Sequence, residues 1–191
     1  MKIILSIAKF FTNILFNIKF INLEKFPNTG RVILCANHRS FWEPIILFLN
    51  LPREVSFMSK KELFKNPIVS WFLKKIKMIP VDRSSTELST IKQCIKVLNE
   101  EGALGIFPQG TRKSSIEDED GKSGVSLIAY KANAPISPVY IRSSYKLFSK
   151  VEIIFGDLIH PNEIQDENTK IKYDKFSKLI MQRIRDIGNE S

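Results

Sequence analysis

The chain has 191 residues, of which 43% are hydrophobic and 26% are charged, values that fit one globular domain and exclude a wholly disordered or fibrous chain. Its 29 Lys and Arg outnumber 20 Asp and Glu and give a net charge of +9, which favours anionic partners such as lipid headgroups, nucleic acid or phosphorylated substrates. Cys35 and Cys94 lie in apolar segments, so we predict a reducing compartment, no metal site and no disulfide framework.

The first 21 residues are predicted to form an amphipathic helix that lies in a membrane surface. Its apolar face is too wide and too aromatic for a single protein contact, although a helix packed on its own domain is the alternative. No stretch approaches the roughly 20 apolar residues that a transmembrane helix needs. We therefore divide the chain into a membrane-interface helical segment, residues 1–25, and a domain, residues 26–191. At about 100° per residue, one face carries Lys2, Ser6, Lys9, Asn13 and Asn17, and the other carries Ile3, Ile7, Phe10, Phe11, Ile14 and Ile18.

Helices and strands alternate along the rest of the chain, which predicts an α/β fold: a single domain with a mixed central sheet flanked by helices. Ser84 or Ser85 is expected to cap one helix, and Gly188 is expected to end the last one. The predicted strands are 32–36, 55–59, 78–81, 103–107, 136–141 and 151–155, and the predicted helical segments are 44–50, 60–65, 67–76, 84–102, 123–132 and a C-terminal amphipathic helix up to 188.

A histidine follows the first strand of this domain directly. The carboxyl edge of the strands is where α/β folds place their sites, and His38 lies there beside Asn37. Glu43, five positions on at a helix start, can turn back and accept the imidazole Nδ1–H, which frees Nε2 to take a proton from a hydroxyl. From these residues alone, a general base and a packed structural histidine are equal alternatives. The other histidine, His160, has no partner in its neighbourhood and is predicted to lie at the surface.

Two further strands end in arginines, on the edge that should hold His38. The segments Met78–Arg83 and Ile106–Arg112 each place a guanidinium there, and Gly110 permits close approach of the backbone to an anion. Each arginine alone is better explained as a surface ion pair. Together they indicate a phosphate site.

These blocks resemble the glycerophospholipid acyltransferase family, whose central members are 1-acyl-sn-glycerol-3-phosphate acyltransferases. The family motif of Asn-His, four residues and Asp matches Asn37–His38 followed by Glu43, and its block of an apolar residue followed by Pro-Val-Asp-Arg matches Ile79–Arg83. Its Phe-Pro-Glu-Gly-Thr-Arg block matches residues 107–112 except at Gln109, and its apolar block around a proline matches residues 134–139.

The resemblance implies an enzyme that transfers an acyl chain from a thioester to the free hydroxyl of lysophosphatidic acid and forms phosphatidic acid. His38 would be the general base and Glu43 would orient it. Asn37 and Gln109 are candidates for positioning the acceptor. No cofactor is implied, since the acyl donor is a substrate, either acyl-CoA or acyl carrier protein, and the latter is a candidate partner. The residues implied for the acceptor phosphate are Arg83, Gly110, Thr111 and Arg112.

Two departures from the family pattern keep alternatives open. Glu43 is one methylene longer than the family's Asp, and Gln109 is a neutral amide where the family has Glu. A transferase for another lysophospholipid, or a lipid-binding relative with impaired catalysis, would also fit. Because the basic residues are interleaved with aromatics, we expect membrane phospholipid and lysophospholipid as partners and no nucleic acid. The expected location is the cytoplasmic face of the cell membrane, bound peripherally or monotopically.

Overall fold

The computed structural model describes residues 2–81, 88–110, 121 and 123–190, and for residues 2–4 it describes the backbone alone. Six α-helices and seven strands alternate through these ranges, with short 3₁₀ turns at Leu23–Lys25, Lys61–Lys65 and Pro161–Glu163. In chain order they are α1 (Lys2–Leu15), β1 (Asn17–Ile21), β2 (Val32–Ala36), α2 (Trp42–Asn50), β3 (Val55–Lys60), α3 (Pro67–Lys75), β4 (Ile79–Val81), α4 (Leu88–Asn99), β5 (Ala103–Ile106), α5 (Gly124–Ala132), β6 (Ile136–Ser143), β7 (Lys150–Phe155) and α6 (Thr169–Glu190).

The seven strands form one mixed sheet in the order β1-β7-β6-β2-β5-β3-β4. Five of them, β6, β2, β5, β3 and β4, run parallel, whereas β7 is antiparallel to β6 and β1 is parallel to β7. The carboxyl ends of the five parallel strands therefore meet at one edge, which we call the catalytic edge. The start of β1 and the start of β7 lie at this same edge, because these two strands run in the opposite direction.

The sheet is covered on both faces, which explains the unbroken apolar sequence of its central strand. All five residues of β2 are buried, as expected for a parallel strand enclosed by two layers. One core cluster joins the sheet to α4, α5 and α6, and the other joins it to α2 and to Phe16, which directly follows α1. The α/β fold with a mixed central sheet and flanking helices is thus confirmed.

The N-terminal helix is shorter than the sequence pattern predicted. It ends at Leu15, and Asn17–Ile21 form the edge strand β1, paired with β7. The prediction of helix for residues 16–21 was wrong because the alternation of polar and apolar residues in this stretch fits a half-buried strand equally well. Phe16, buried between the helix and the strand, packs against the rings of Trp42 and Tyr145.

The last helix does not end at Gly188. It continues to Glu190, and Gly188 packs against Tyr140 on β6, where an added Cβ would lie 2.7 Å from the ring. The glycine therefore permits close helix–sheet packing instead of ending the helix. The cap expected at Ser84 or Ser85 lies outside the described residues.

Candidate active site

The predicted catalytic residues meet at the catalytic edge because neighbouring strands end there together. Strands β2 and β5 are adjacent and in register, with Cys35 opposite Ile106. The chain leaves β2 through Asn37 and His38, and it leaves β5 through the turn that carries Gln109. Helix α2 then begins beside this edge, with Glu43 in its first turn. Its N-terminal dipole favours a negative side chain at that position.

His38 and Glu43 form a direct, buried hydrogen-bonded pair. Their Nδ1 and Oε2 atoms are 2.6 Å apart, and the Glu43 side chain is 0% exposed. A carboxylate can only accept, so Nδ1 carries the proton and donates it to Glu43. Nε2 is then the basic nitrogen of the ring, and no hydrogen bond to it occurs within the described part of the chain. Glu43 thus accepts the bond from Nδ1 that the sequence suggested, despite its extra methylene, and the catalytic roles of the two residues stay predictions.

Two further contacts position His38, one to the face of its ring and one to its backbone N–H. Its ring stacks on Phe107, with centroids 4.0 Å apart and planes inclined by 20°. The His38 backbone N–H donates to Oε1 of Gln109 at 2.8 Å. Gln109 is buried and, through this bond, links the end of β5 to the end of β2. The side chain therefore holds the histidine backbone, a contact that a carboxylate at this position could also accept.

Asn37 connects the end of β2 to its other neighbour. Its side-chain amide donates to the carbonyl of Ile141 at 2.9 Å and accepts from the Ile141 N–H at 2.7 Å. Both polar groups of the buried side chain are thereby bonded to the backbone of β6, beyond the ladder between β2 and β6. This contact fixes the backbone immediately before His38. A role for Asn37 and Gln109 in positioning the acceptor stays a prediction.

The second carboxylate oxygen of Glu43 has a partner that the sequence analysis missed. Tyr145, in the loop between β6 and β7, donates its hydroxyl to Oε1 at 2.6 Å, and the Arg39 backbone N–H lies 3.0 Å from both carboxylate oxygens. Burial, followed by the negative charge of Glu43, raises the pKa of Tyr145 far above its ordinary value. Its position after the predicted strand 136–141 was the available signal, since β6 ends at the edge where His38 lies.

Of the residues expected to bind phosphate, only Gly110 lies within the described residues. It closes a turn after β5 in which its N–H donates to the Phe107 carbonyl at 2.9 Å, and its φ of 72° is a conformation that favours glycine. Arg83, Thr111 and Arg112 lie outside the described residues. The strands before them, β4 and β5, end at the catalytic edge.

The two free cysteines belong to the hydrophobic core. Cys35 and Cys94 are buried in the same core cluster, and burial raises the pKa of the Cys94 thiol to about 12. Among the described residues, no group of three His, Cys, Asp or Glu side chains has the arrangement of metal ligands. The described residues supply an oriented imidazole whose Nε2 has no hydrogen bond to any of them, an arrangement suited to proton abstraction from a hydroxyl.

Comparison with known proteins agrees with this geometry. A family model described as Acyltransferase matches residues 17–142. The chain is 34% identical over 179 residues to a 1-acyl-sn-glycerol-3-phosphate acyltransferase of Bacillus subtilis, covering 91% of this chain and 89% of that protein. It is 35% identical over 160 residues to a protein of the same name from Streptococcus pneumoniae, covering 80% of this chain and 59% of that protein. The crystal structure of the 1-acyl-sn-glycerophosphate acyltransferase PlsC from Thermotoga maritima superposes with a TM-score of 0.77 at 23% identity, covering 98% of this chain and 78% of that one, which supports the fold alone.

Proposed function

The chain belongs to the acyltransferase family, and we propose that it acts as a 1-acyl-sn-glycerol-3-phosphate acyltransferase. The reaction transfers an acyl chain from a thioester to the free glycerol hydroxyl of lysophosphatidic acid, giving phosphatidic acid and a thiol. The observation that carries the proposal is the 2.6 Å bond between Nδ1 of His38 and Glu43, which leaves Nε2 with no hydrogen bond to any described residue. Relatives named for this reaction, one of them 34% identical over most of its length, support the choice of acceptor.

In the proposed mechanism, Nε2 of His38 removes the proton from the acceptor hydroxyl as its oxygen attacks the thioester carbonyl. The imidazolium that forms is stabilised by Glu43, to which it already donates through Nδ1. Collapse of the tetrahedral intermediate breaks the carbon–sulfur bond, and the departing sulfur takes the proton back from Nε2. His38 is thus neutral again after each turnover, and no acyl-enzyme is needed. Holding base, hydroxyl and thioester together supplies much of the rate enhancement.

Arg83, Thr111 and Arg112 are the proposed ligands of the acceptor phosphate, with Gly110 shaping the turn that precedes two of them. Guanidinium groups bind phosphate oxygens bidentately, and both loops leave the sheet at the catalytic edge. Because the Gly110 N–H is bonded to Phe107, this glycine would contribute through the backbone conformation of the turn and not as a donor. The acyl donor is proposed to be a thioester of either coenzyme A or acyl carrier protein.

The decisive experiment is acyl transfer by the purified chain, measured as thiol release that depends on lysophosphatidic acid. His38→Gln should reduce the rate to near the background, because the base is lost while the side chain remains polar and of similar size. His160→Gln is the matched control, since His160 is exposed in a loop after β7, and it should keep full activity. Equal rates in the two variants would contradict the mechanism.

The same assay decides between the remaining functions. Turnover with another lysophospholipid but not with lysophosphatidic acid would change the assigned acceptor and leave the base unchanged. Lysolipid binding without turnover on either carrier, in a folded protein, would establish the impaired lipid-binding relative. The intact hydrogen bond between His38 and Glu43 argues against that outcome.

We also propose that the catalytic edge rests on the cytoplasmic surface of a membrane. In the described part of the chain no helix is both long and apolar enough to cross a bilayer. Exposed apolar side chains nevertheless occur on two elements that adjoin this edge: α1, which ends beside the start of β1, and the segment that follows β3. Phe10 is 63% exposed and Ile68 is 78% exposed. Lysines flank the second group, as expected for anionic headgroups. The two groups are Ile7, Phe10, Phe11 and Ile14, and Leu63, Ile68, Val69, Trp71 and Phe72.

Flotation with vesicles that contain anionic lipid tests this surface. Phe10→Ser combined with Phe11→Ser should weaken the partition coefficient by about 10-fold or more, because inserting each ring contributes on the order of 1–2 kcal/mol. Ile171→Ser is the matched control, since Ile171 is exposed on α6, outside both apolar groups. If the double variant binds the vesicles as strongly as the control variant does, α1 does not contribute to membrane binding.

A further inference from the structure

We propose that Tyr145 is a positioning residue of the catalytic pair, whose hydroxyl holds Glu43 in the orientation that serves His38. The contacts of Tyr145 are given by the structure alone. Their expected effect on the reaction rate rests on the acyl transfer proposed above. Tyr145 lies 102 positions from Glu43 in sequence, outside all four blocks that resemble the family motifs. Its hydroxyl nevertheless donates to Oε1 at 2.6 Å, while Oε2 bonds the imidazole at the same distance.

The need for such a residue follows from the length of the glutamate side chain. Glu43 has one more rotatable bond than an aspartate, and its terminal torsion is broad and roughly two-fold. The Arg39 N–H lies 3.0 Å from both oxygens, so it holds the carboxylate without selecting one rotation of it. Tyr145 bonds one oxygen only. It therefore fixes the rotation of the carboxylate about its terminal bond, so that the other oxygen faces Nδ1 of His38.

The loop holds Tyr145 firmly, and its backbone conformation is one that aromatic residues seldom adopt. The φ of Tyr145 is 53°, in the left-handed region, and its N–H donates to Oγ of Ser143 at 3.0 Å. Its ring lies edge-on against Phe16. The next turn of the loop is tied to the end of α1 by a bond from the Phe148 N–H to the Leu15 carbonyl. A strained residue that the surrounding contacts keep in place is typical of a functional site.

Tyr145 remains a hydrogen-bond donor through the working pH range. The charged groups that act on its hydroxyl are Glu43 and Arg39, and around them the ring meets apolar side chains. Burial and the charge of Glu43 raise its pKa, and the opposing influence of Arg39 is the smallest contribution. The hydroxyl therefore keeps its proton. The carboxylate of Glu43 thus accepts two hydrogen bonds from side chains, one from the Tyr145 hydroxyl and one from the imidazole of His38.

The test compares Tyr145→Phe with Tyr140→Phe, the same chemical change on β6, where the structure gives the hydroxyl of Tyr140 no hydrogen bond to a described residue. Tyr145→Phe should lower kcat by about 10-fold and change KM for lysophosphatidic acid by less than about 2-fold, because the bond orients the base and does not touch the substrate. The acid limb of the pH–rate profile should move to higher pH, since without the bond from Tyr145 the carboxylate of Glu43 stabilises the imidazolium of His38 more strongly. Tyr140→Phe should leave both unchanged.

A double-mutant cycle distinguishes positioning from general support of the fold. With Glu43→Ala there is no carboxylate to hold, so adding Tyr145→Phe should lower the residual rate by less than about 2-fold. The same 10-fold loss in both backgrounds would overturn the proposal. A loss of kcat that follows a fall in the melting temperature would overturn it too, because Oε1 still accepts from Arg39 in the variant and the fold should persist.

A spectroscopic readout keeps the proposal separable from the proposed function. The chain has only two histidines, so the signal of the Nδ1 proton of His38 can be assigned in a proton NMR spectrum without site-specific isotope labelling. Tyr145→Phe should shift this resonance, whereas Tyr140→Phe should not. An unchanged resonance would overturn the positioning role even if the chain proved inactive with every acceptor. A shifted resonance in an inactive chain would leave the positioning role standing and contradict the function alone.

Discussion

Replacing Glu43 by Asp would restore the residue that the family motif carries, and the structure predicts that it harms the enzyme. The carboxylate reaches His38 and Tyr145 at 2.6 Å each from the first turn of α2. Removing one methylene withdraws it by about 1.5 Å, the length of a carbon–carbon bond. The contact to Nδ1 would then lengthen to about 4.1 Å, beyond hydrogen-bonding distance, unless the helix moves.

The expected magnitude follows from that displacement. A misplacement of about 1 Å in catalytic geometry can lower a rate on the order of 100-fold. We therefore expect Glu43→Asp to reduce kcat by about 30- to 100-fold, with a smaller change in KM for the acceptor. Helix α2 buries its own Ile46 and Leu47 in the core cluster that also contains Phe16, which limits how far its first turn can follow the shortened side chain.

Acceptor-dependent thiol release, measured over a range of lysophosphatidic acid concentrations, separates kcat from KM in this variant. Glu43→Gln serves as the companion, because it keeps the length and removes the charge. A thermal melt of each variant checks that the fold is retained. If Glu43→Asp were as active as the wild type or more so, the carboxylate position would not be tuned to glutamate, and the reasoning from the 2.6 Å contacts would be refuted.

Three further outcomes are expected. Gln109→Ala should lower the free energy of unfolding by about 1–3 kcal/mol in chemical denaturation, because the buried backbone N–H of His38 loses its acceptor. Gly105→Ala should destabilise by about 1–3 kcal/mol, since its Cβ would collide with an aromatic ring of β3, and an unchanged denaturation midpoint would contradict this packing. The hydrogen bond from Arg31 lowers the pKa of Glu101 in the folded protein. The pair therefore stabilises the fold at any pH above the ordinary glutamate pKa, and this stabilisation is lost as pH falls through the lowered pKa of Glu101. The difference in free energy of unfolding between the wild type and Glu101→Gln should vanish at low pH.

The sequence predicted those parts of the site that local pattern and chain order determine. His38 and Glu43 are five positions apart, and a strand followed by a helix start brings them together by local geometry. Gln109 could be placed at the same edge because the alternation of strands and helices predicts parallel strands that end together. The contact it makes, to the His38 backbone, depends on β2 and β5 being neighbours, which sequence order does not give.

Tyr145 and residues 17–21 lay beyond prediction for related reasons. The position of Tyr145 after a predicted strand was its only signal in the sequence, and its bond to Glu43 exists because β6 is next to β2 and extends beyond it. The stretch 17–21 has an alternation that permits either structure, and pairing with β7, more than 130 positions away, decides it in favour of a strand. Both are consequences of long-range pairing, to which local periodicity is blind.

The reversed direction of β7 and β1 has a consequence for function that the parallel strands alone could not provide. Because β1 starts at the catalytic edge, α1 ends there, and its Leu15 carbonyl is bonded to Phe148 in the loop that carries Tyr145. The helix proposed to contact the membrane is thus connected to the Glu43 carboxylate through one short loop. A bilayer that orders α1 would stabilise this loop and, through the hydroxyl of Tyr145, the orientation of Glu43. In that case the kcat of the wild type should rise on anionic vesicles relative to detergent by a larger factor than the kcat of Tyr145→Phe, and equal factors would show that the membrane acts on substrate supply alone.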